Sequence, residues 1–183
     1  MSVPPLDPQL LQRVAQGDAR AFRELSQQLL GPIVNYAYRI LGNRAEAEDV
    51  AQETFLRAWQ KADSYRPTAR VSTWMFAIAH NLCIDGLRKR RGGTWELDDE
   101  RDEAPSSNNP AELLERKARA QDVRQALDSL PERQKMAILL SHEQGLSNPE
   151  IAQVLDLGVE AVESLLSRGR RKLRESLGGT EES

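Results

Sequence analysis

The chain has 183 residues, 39% hydrophobic, 5% aromatic and 29% charged, which is material for one or two small cores. No apolar run nears the ~20 residues of a membrane span, Met1–Pro5 lacks a signal-peptide layout, and the single cysteine, Cys83, excludes an internal disulfide or a multi-cysteine zinc site; a soluble, cytoplasmic protein is expected. The formal charge of −3 comes from one stretch, because residues 96–115 carry one basic and eight acidic residues, whereas 1–95 carry 13 basic against 9 acidic and 116–183 carry 11 of each.

Both flanks of the acidic stretch read as helical, with no run of period-2 alternation. Asp18 caps a helix to Leu30, where Gly31-Pro32 interrupts before a second apolar run, Ile33 to Leu41, that Gly42 ends. Asn43 with Glu46 three residues on makes a variant capping box for a helix to about Lys61. Its core stripe is Ala47, Val50, Ala51, Thr54, Phe55, Ala58 and Ala62. The opposite side holds Asp49, Gln52, Glu53 and Gln60 around Leu56. That side is either a solvated face with one stray leucine or a docking surface for a basic helical partner.

Pro67 lies in a loop, and the next helix runs from about Val71 to Arg91. Val71, Met75, Ile78 and Leu82 form one apolar face and Phe76, Cys83 and Leu87 another. Between them Arg70, Trp74, Asn81 and Arg88 make a ridge that ends in a basic run with Arg90 and Arg91. A ring, an amide and guanidinium groups in line suit an unpaired nucleic-acid strand, by stacking, edge reading and charge neutralisation. Trp74 by itself also reads as ordinary core; the adjoining Tyr65, Arg66, Ser72 and Thr73 favour the strand. His80 and Cys83, one turn apart, invite a metal reading that lacks further ligands, so no metal or cofactor is expected. No Ser/His/Asp set, glycine-rich phosphate loop or isolated carboxylate pair asks for catalysis.

Gly92-Gly93 opens the acidic segment, which has six acids in the eight residues from Glu96 to Glu103. Self-repulsion and a lack of burial favour an extended or disordered linker. It is either a plain spacer or an acidic strand lying in a partner's basic channel. Asn109-Pro110 then starts a helix to about Leu130, Pro131 another to about Gln144, and Ser147 with Glu150 a capping box for a short helix to about Leu155. The last helix spans about Val159 to Leu177.

The apolar positions Ile151, Leu155, Leu157, Val162 and Leu165, with small Ala152, fit a helix-turn-helix. At 100° per residue, Val162, Leu165, Leu166, Gly169 and Leu173 turn inward. Glu160, Glu163, Ser164, Ser167, Arg168, Arg171 and Arg174 turn outward. Five of the seven residues from Arg168 to Arg174 are basic. Either they are a solvated helix end that complements the dipole, or the helix enters a major groove with its front on base edges and its rear arginines on phosphates. The turn position commonly held by glycine is Asp156, a residue that tolerates a left-handed backbone.

Four segments in order, Ala45–Trp59, Ser72–Asn81, Leu130–Gln134 and Ile151–Arg174, resemble the extracytoplasmic-function (ECF) group of bacterial sigma-70 factors. The resemblance implies an all-α, non-enzymatic protein of two helical domains, at 10–91 and 112–177, joined by a flexible acidic linker at 92–111, with tails at 1–9 and 178–183. It implies that Asp49, Gln52, Glu53, Leu56 and Gln60 dock on the clamp helices of the largest subunit of core RNA polymerase. Tyr65, Arg66, Arg70, Ser72, Thr73, Trp74 and Asn81 would capture an unstacked base of the −10 promoter element, with Arg88, Arg90 and Arg91 on the adjacent backbone. Glu163, Ser164, Ser167 and Arg168, backed by Arg171 and Arg174, would read the −35 element. Many members carry Lys or Arg at the position of Glu163 and Arg at that of Leu165. An anti-sigma factor is implied as a further partner, and a monomer when free. A stand-alone helix-turn-helix regulator is the competing class; it needs a dimer seam, and no heptad stretch supplies one.

Overall fold

The computed structural model describes residues 8–66, 69–90 and 121–178. The linker at 92–111, Arg91, Pro67, the start of the helix expected from Asn109-Pro110 and most of both tails lie outside those residues. Among the described residues all regular structure is helical. Helices α1 (Pro8–Ala15), α2 (Ala19–Leu41), α3 (Arg44–Lys61) and α4 (Val71–Arg90) form a first unit. A second unit consists of α5 (described over 121–128), α6 (Glu132–His142), α7 (Asn148–Leu155) and α8 (Val159–Gly178).

Helix α2 begins as the sequence predicts, with the Asp18 carboxylate accepting the N–H groups of Arg20 (2.8 Å) and Ala21 (3.2 Å). It does not stop at Gly31-Pro32. A proline inside a helix removes one backbone hydrogen bond and crowds the preceding turn, at about 3 kcal/mol. Leu25 and Leu29 before it and Ile33, Tyr36 and Ala37 after it are all fully buried in one core. Each large apolar side chain so buried contributes about 1.5–3 kcal/mol, so the stripe outweighs the defect and the two predicted helices are one. The helix ends where Gly42, at φ 70°, takes the left-handed cap and donates to the Tyr38 carbonyl.

Helix α1 is an element the sequence reading did not single out. Pro8 opens it, and Leu10, Leu11 and Val14 are buried against the rest of the first unit. Helix α3 buries Ala47, Val50, Ala51, Thr54, Phe55 and Ala58, the predicted stripe, with Ala62 beyond it. Helix α4 lies against both α2 and α3, and Tyr36 of α2 meets Phe76 of α4 edge to face at 5.5 Å.

In the second unit α6 crosses α8, and α7 packs on both. Ser147 and Glu150 form the predicted capping box at the start of α7, and Asp156 ends that helix at φ 53°, ψ 52°, the left-handed conformation expected of it. Val162, Leu165 and Leu166 are buried and Leu173 is half-buried, as the helical wheel predicts. Gly169 sits where α8 meets α6; a Cβ there would come within 3.1 Å of Ile138 Cγ1, so a side chain at this crossing crowds Ile138.

The two units also touch, through α7 on α4 and α6 on α2.

Candidate functional site

Three surfaces emerge from this packing. The first is the outward side of α8. Because Val162, Leu165 and Leu166 face α6 and α7, the residues between them are forced outward, and Glu163, Ser164, Ser167, Arg168, Arg171 and Arg174 are all exposed. Leu165 is buried and takes no part in this face. A shallow concavity of about 310 Å³ lies beside the start of α7, lined by Asn148, Glu163, Ser167, Arg170 and Arg174. There Asn148 Nδ2 donates to Glu163 at 3.5 Å. Asn148 escaped the sequence reading because its contact spans a turn whose angle no spacing rule supplies. Donors and acceptors on one side of a protruding helix, with cations behind, can read base edges while holding phosphates.

The second surface follows the start and outer ridge of α4. Trp74 is half-buried and meets Tyr65 edge-on at 5.7 Å. Tyr65 itself is buried, and its hydroxyl donates to the Ala69 carbonyl; burial pushes that phenol upward from its ordinary pKa. Tyr65 thus buttresses Trp74. Asn81 and Arg88 are exposed further along the same ridge, and Arg66 and Arg70 are exposed before it. Ser72 and Thr73, by contrast, are buried, Thr73 to 1% exposure. Arg90 is engaged within the fold. Its guanidinium donates to the Leu41 carbonyl at 2.8 Å and pairs with the Glu46 carboxylate, tying the end of α4 to the α2–α3 corner. Glu46 is therefore turned toward Arg90, although the Asn43 side chain still accepts the Glu46 N–H at 3.2 Å.

Thr73 and Arg70 share an anion. Thr73 Oγ1 donates to Glu150 at 3.1 Å and Arg70 Nε lies 3.3 Å from the same oxygen. The other Glu150 oxygen accepts the Ser147 N–H (2.8 Å) and hydroxyl (2.6 Å). Burial pushes the Glu150 carboxyl up, but the Ser147 and Thr73 donors and the Arg70 charge outweigh it and hold the group below its ordinary value.

The third surface is the outer side of α3. Asp49, Gln52 and Gln60 are exposed, Glu53 is half-buried and pairs with Arg57 at 2.7 Å, and Leu56 stands 51% exposed among them. Two further apolar residues join it that sequence spacing did not single out. Trp59, 41% exposed, rests edge-on against Phe22 at 5.1 Å. Leu30 of α2, 45% exposed, rims an open groove of about 440 Å³ with Val34, Tyr38, Glu48 and Gln52. Their signal was present as apolar residues off the core stripe, but which side of α2 stays uncovered depends on tertiary packing. Large exposed apolar side chains within an acidic rim are the composition of a protein-binding surface.

The His80–Cys83 pair is core. His80 Nδ1 and the Tyr36 hydroxyl share a hydrogen bond of 3.0 Å, both residues buried. Burial lowers the imidazole pKa to about 4 and raises the Cys83 thiol to about 12. Among the described residues no three His, Cys, Asp or Glu side chains converge as a metal site would require, and no helix is long and apolar enough to cross a membrane.

Residues 25–92 match the family described as Sigma-70 region 2, and residues 120–173 match Sigma-70, region 4. The ECF RNA polymerase sigma factor SigW of Bacillus subtilis is 32% identical over 176 residues, covering 91% of this chain and 94% of that protein. Among solved structures, CnrH in complex with the cytosolic domain of CnrY superposes with a TM-score of 0.71 at 27% identity, covering 96% of this chain and 99% of that one. The sigma factor RpoE of Bartonella quintana, in complex with the anti-sigma factor NepR, superposes at 0.66 and 25% identity, covering 87% and 98%.

Proposed function

Because the chain belongs to the ECF group of sigma-70 RNA polymerase sigma factors, we propose a specific division of promoter recognition among its three surfaces. As a sigma factor it acts with RNA polymerase on promoter DNA; the residues that carry each step are the proposal. The single observation that supports it best is the pairing, in one chain, of an acidic apolar face on α3 with two separate faces on α4 and α8 that carry exposed arginines.

The outer side of α3, with Asp49, Gln52, Glu53, Leu56 and Gln60, docks on the clamp helices of the largest polymerase subunit. Leu30 and Trp59 extend that surface. The α8 face then reads the −35 duplex through Glu163, Ser164, Ser167 and Arg168, with Arg171 and Arg174 on phosphates. Glu163 accepts from a cytosine amino group, the donor its chemistry suits. The −10 strand is captured once opened: Trp74 stacks an extruded base, Asn81 reads an edge, and Arg66, Arg70, Arg88 and Arg91 hold phosphates near Ser72 and Thr73, while Tyr65 braces the ring. Stacking one base contributes about 1–3 kcal/mol, comparable to the few kcal/mol of unpairing it. Capture therefore suffices to trap an opening that thermal motion supplies, without ATP.

Neither unit needs a tight grip alone. Polymerase holds both at once, so engagement of one raises the effective concentration of the other. On this reading the units are 10–91 and 112–177, residues 92–111 tether them, the free protein is a cytoplasmic monomer, and an anti-sigma factor restrains it. The complex of RpoE with NepR supports that last point.

The test is promoter opening in vitro. Trp74→Ala with Asn81→Ala should bind core polymerase normally yet lose the permanganate reactivity of the −10 thymines. Wild-type reactivity in that double variant would remove the strand-capture role.

A further inference from the structure

Glu163 is an acid in a cationic setting, yet no cation holds it. Among the described residues it makes no ion pair, and its hydrogen bond comes from a neutral amide, Asn148 Nδ2 to Glu163 Oε1 at 3.5 Å. Both arginines that line the same concavity are turned elsewhere. Arg170 donates to the Ser141 hydroxyl of α6 at 3.4 Å, and Arg174 Nε donates to the Arg170 carbonyl at 3.3 Å. The other carboxylate oxygen, Glu163 Oε2, accepts nothing from the described residues and is open to a ligand.

The arm that holds Glu163 is rigid. Asn148 is the first residue of α7, and its backbone is fixed on both sides. Before it, Ser147 gives its N–H (2.8 Å) and hydroxyl (2.6 Å) to Glu150; after it, Pro149 has a locked φ. Helix α7 is seated on α8, with Ile151 and Val162 buried in the core, and the Leu157 N–H bonds the Ala152 carbonyl at 3.0 Å across the turn. Asn has fewer side-chain torsions than Glu, so its amide has few places to go, whereas an exposed Glu ranges over many rotamers. Position is what an acceptor needs here. In the major groove cytosine N4 and adenine N6 both offer amino hydrogens, in patterns that differ between the base pairs. A carboxylate free to swing accepts from either; one held in place distinguishes them.

We propose that Asn148 is a positioning residue for −35 recognition: its amide fixes the Glu163 carboxylate in the groove, so that the chain selects cytosine over adenine at the base pair Glu163 reads. This rests on the assignment of Glu163 to −35 reading. A lysine or arginine in place of the amide would also hold the carboxylate, but its charge would compete with the base for the same oxygens. A neutral amide orients the acceptor without that competition.

The experiment uses core polymerase carrying the full chain, with promoter duplexes that present each of the four bases at every −35 position in competition. For wild type, one position should favour cytosine over the other three bases. Asn148→Ala should lower the cytosine-to-adenine ratio there by about two- to twelvefold, the factor that corresponds to the net worth of one hydrogen bond. It should leave the discrimination against thymine and guanine, which lack a major-groove amino group, and the other −35 positions as they were. Asn148→Asp has the same size and suits the first turn of a helix, so its melting temperature should not fall. By repelling Glu163 it should lower the cytosine-to-adenine ratio at least as far. Wild-type ratios in both variants, while Glu163→Gln alters that position, overturn the positioning role alone. Loss of preference at every −35 position by the same factor also overturns it, since Asn148 then only supports the helix pair. If Glu163→Gln alters no position, the assignment of Glu163 to −35 reading fails and the inference with it.

Discussion

His80 makes the fold acid-sensitive in a way that can be isolated. Its imidazole is buried against the Tyr36 hydroxyl, with Cys83 of the same core beside that phenol. Burial lowers its pKa from the ordinary 6.5 to about 4. Above pH 6.5 the ring is neutral in both folded and unfolded chains and contributes no pH dependence. As the pH falls below 6.5 the unfolded chain binds a proton that the folded chain refuses, so stability declines until about pH 4. A gap of about 2.5 units at 1.36 kcal/mol each amounts to ~3 kcal/mol, a large part of the 5–15 kcal/mol that holds a domain together. Urea unfolding of wild type and His80→Gln, measured from pH 7 to pH 4, gives the test. Glutamine retains a partner for Tyr36 and cannot titrate. The wild-type curve should fall below the variant's by ~3 kcal/mol over that range; Asp18 and Glu150, whose pKa values are lowered, titrate alike in both. Parallel curves, or a His80 ring that titrates near 6.5 by NMR, would refute the reasoning.

Four further outcomes are expected. Gly169→Val should cost about 1–3 kcal/mol by overpacking against Ile138, seen as a lower melting temperature, while Gly169→Ala stays milder because helix propensity offsets part of the crowding. Asp156→Gly should melt no lower than wild type, and Asp156→Val should lose about 1–2 kcal/mol because a β-branched residue resists the left-handed turn. Leu56→Arg should change stability by less than about 0.5 kcal/mol, as an exposed substitution does, yet weaken polymerase association by about 2 kcal/mol or more; co-purification with core enzyme at the wild-type level would contradict this. Arg90→Ala should lower the melting temperature by removing two bonds at the α2–α3 corner, at about 1–3 kcal/mol, and a neutral result would show that the corner does not depend on it.

Local periodicity made most helices legible. The stripe of α3, the inward and outward sides of α8, the capping box at Ser147 and the left-handed Asp156 each depend on residues within a turn or two of one another. Where the outcome turned on distant packing, the sequence was silent or misleading. Gly31-Pro32 reads as a break, and only the buried residues on both sides of it, from Leu25 to Ala37, keep α2 one continuous helix. Glu46 reads as half of a capping box, but Arg90, 44 residues on, offers it a charge. Glu150 reads as a cap and nothing more; that its second oxygen reaches Thr73, 77 residues away, follows from how the units meet. The candidate faces on α3, α4 and α8 were visible as outward residues, whereas Leu30, Trp59 and Asn148 join them only through neighbours on other helices.

The bracket made by Arg90 reduces the electrostatic footprint of the α4 end. Counting arginines in the basic run would credit that end with one more released counterion than the fold allows. Affinity for single-stranded DNA falls with a log–log slope of about −0.7 per phosphate neutralised. Neutralising Arg88 should flatten that ionic-strength dependence by about 0.7, and neutralising Arg90 should leave it where it was.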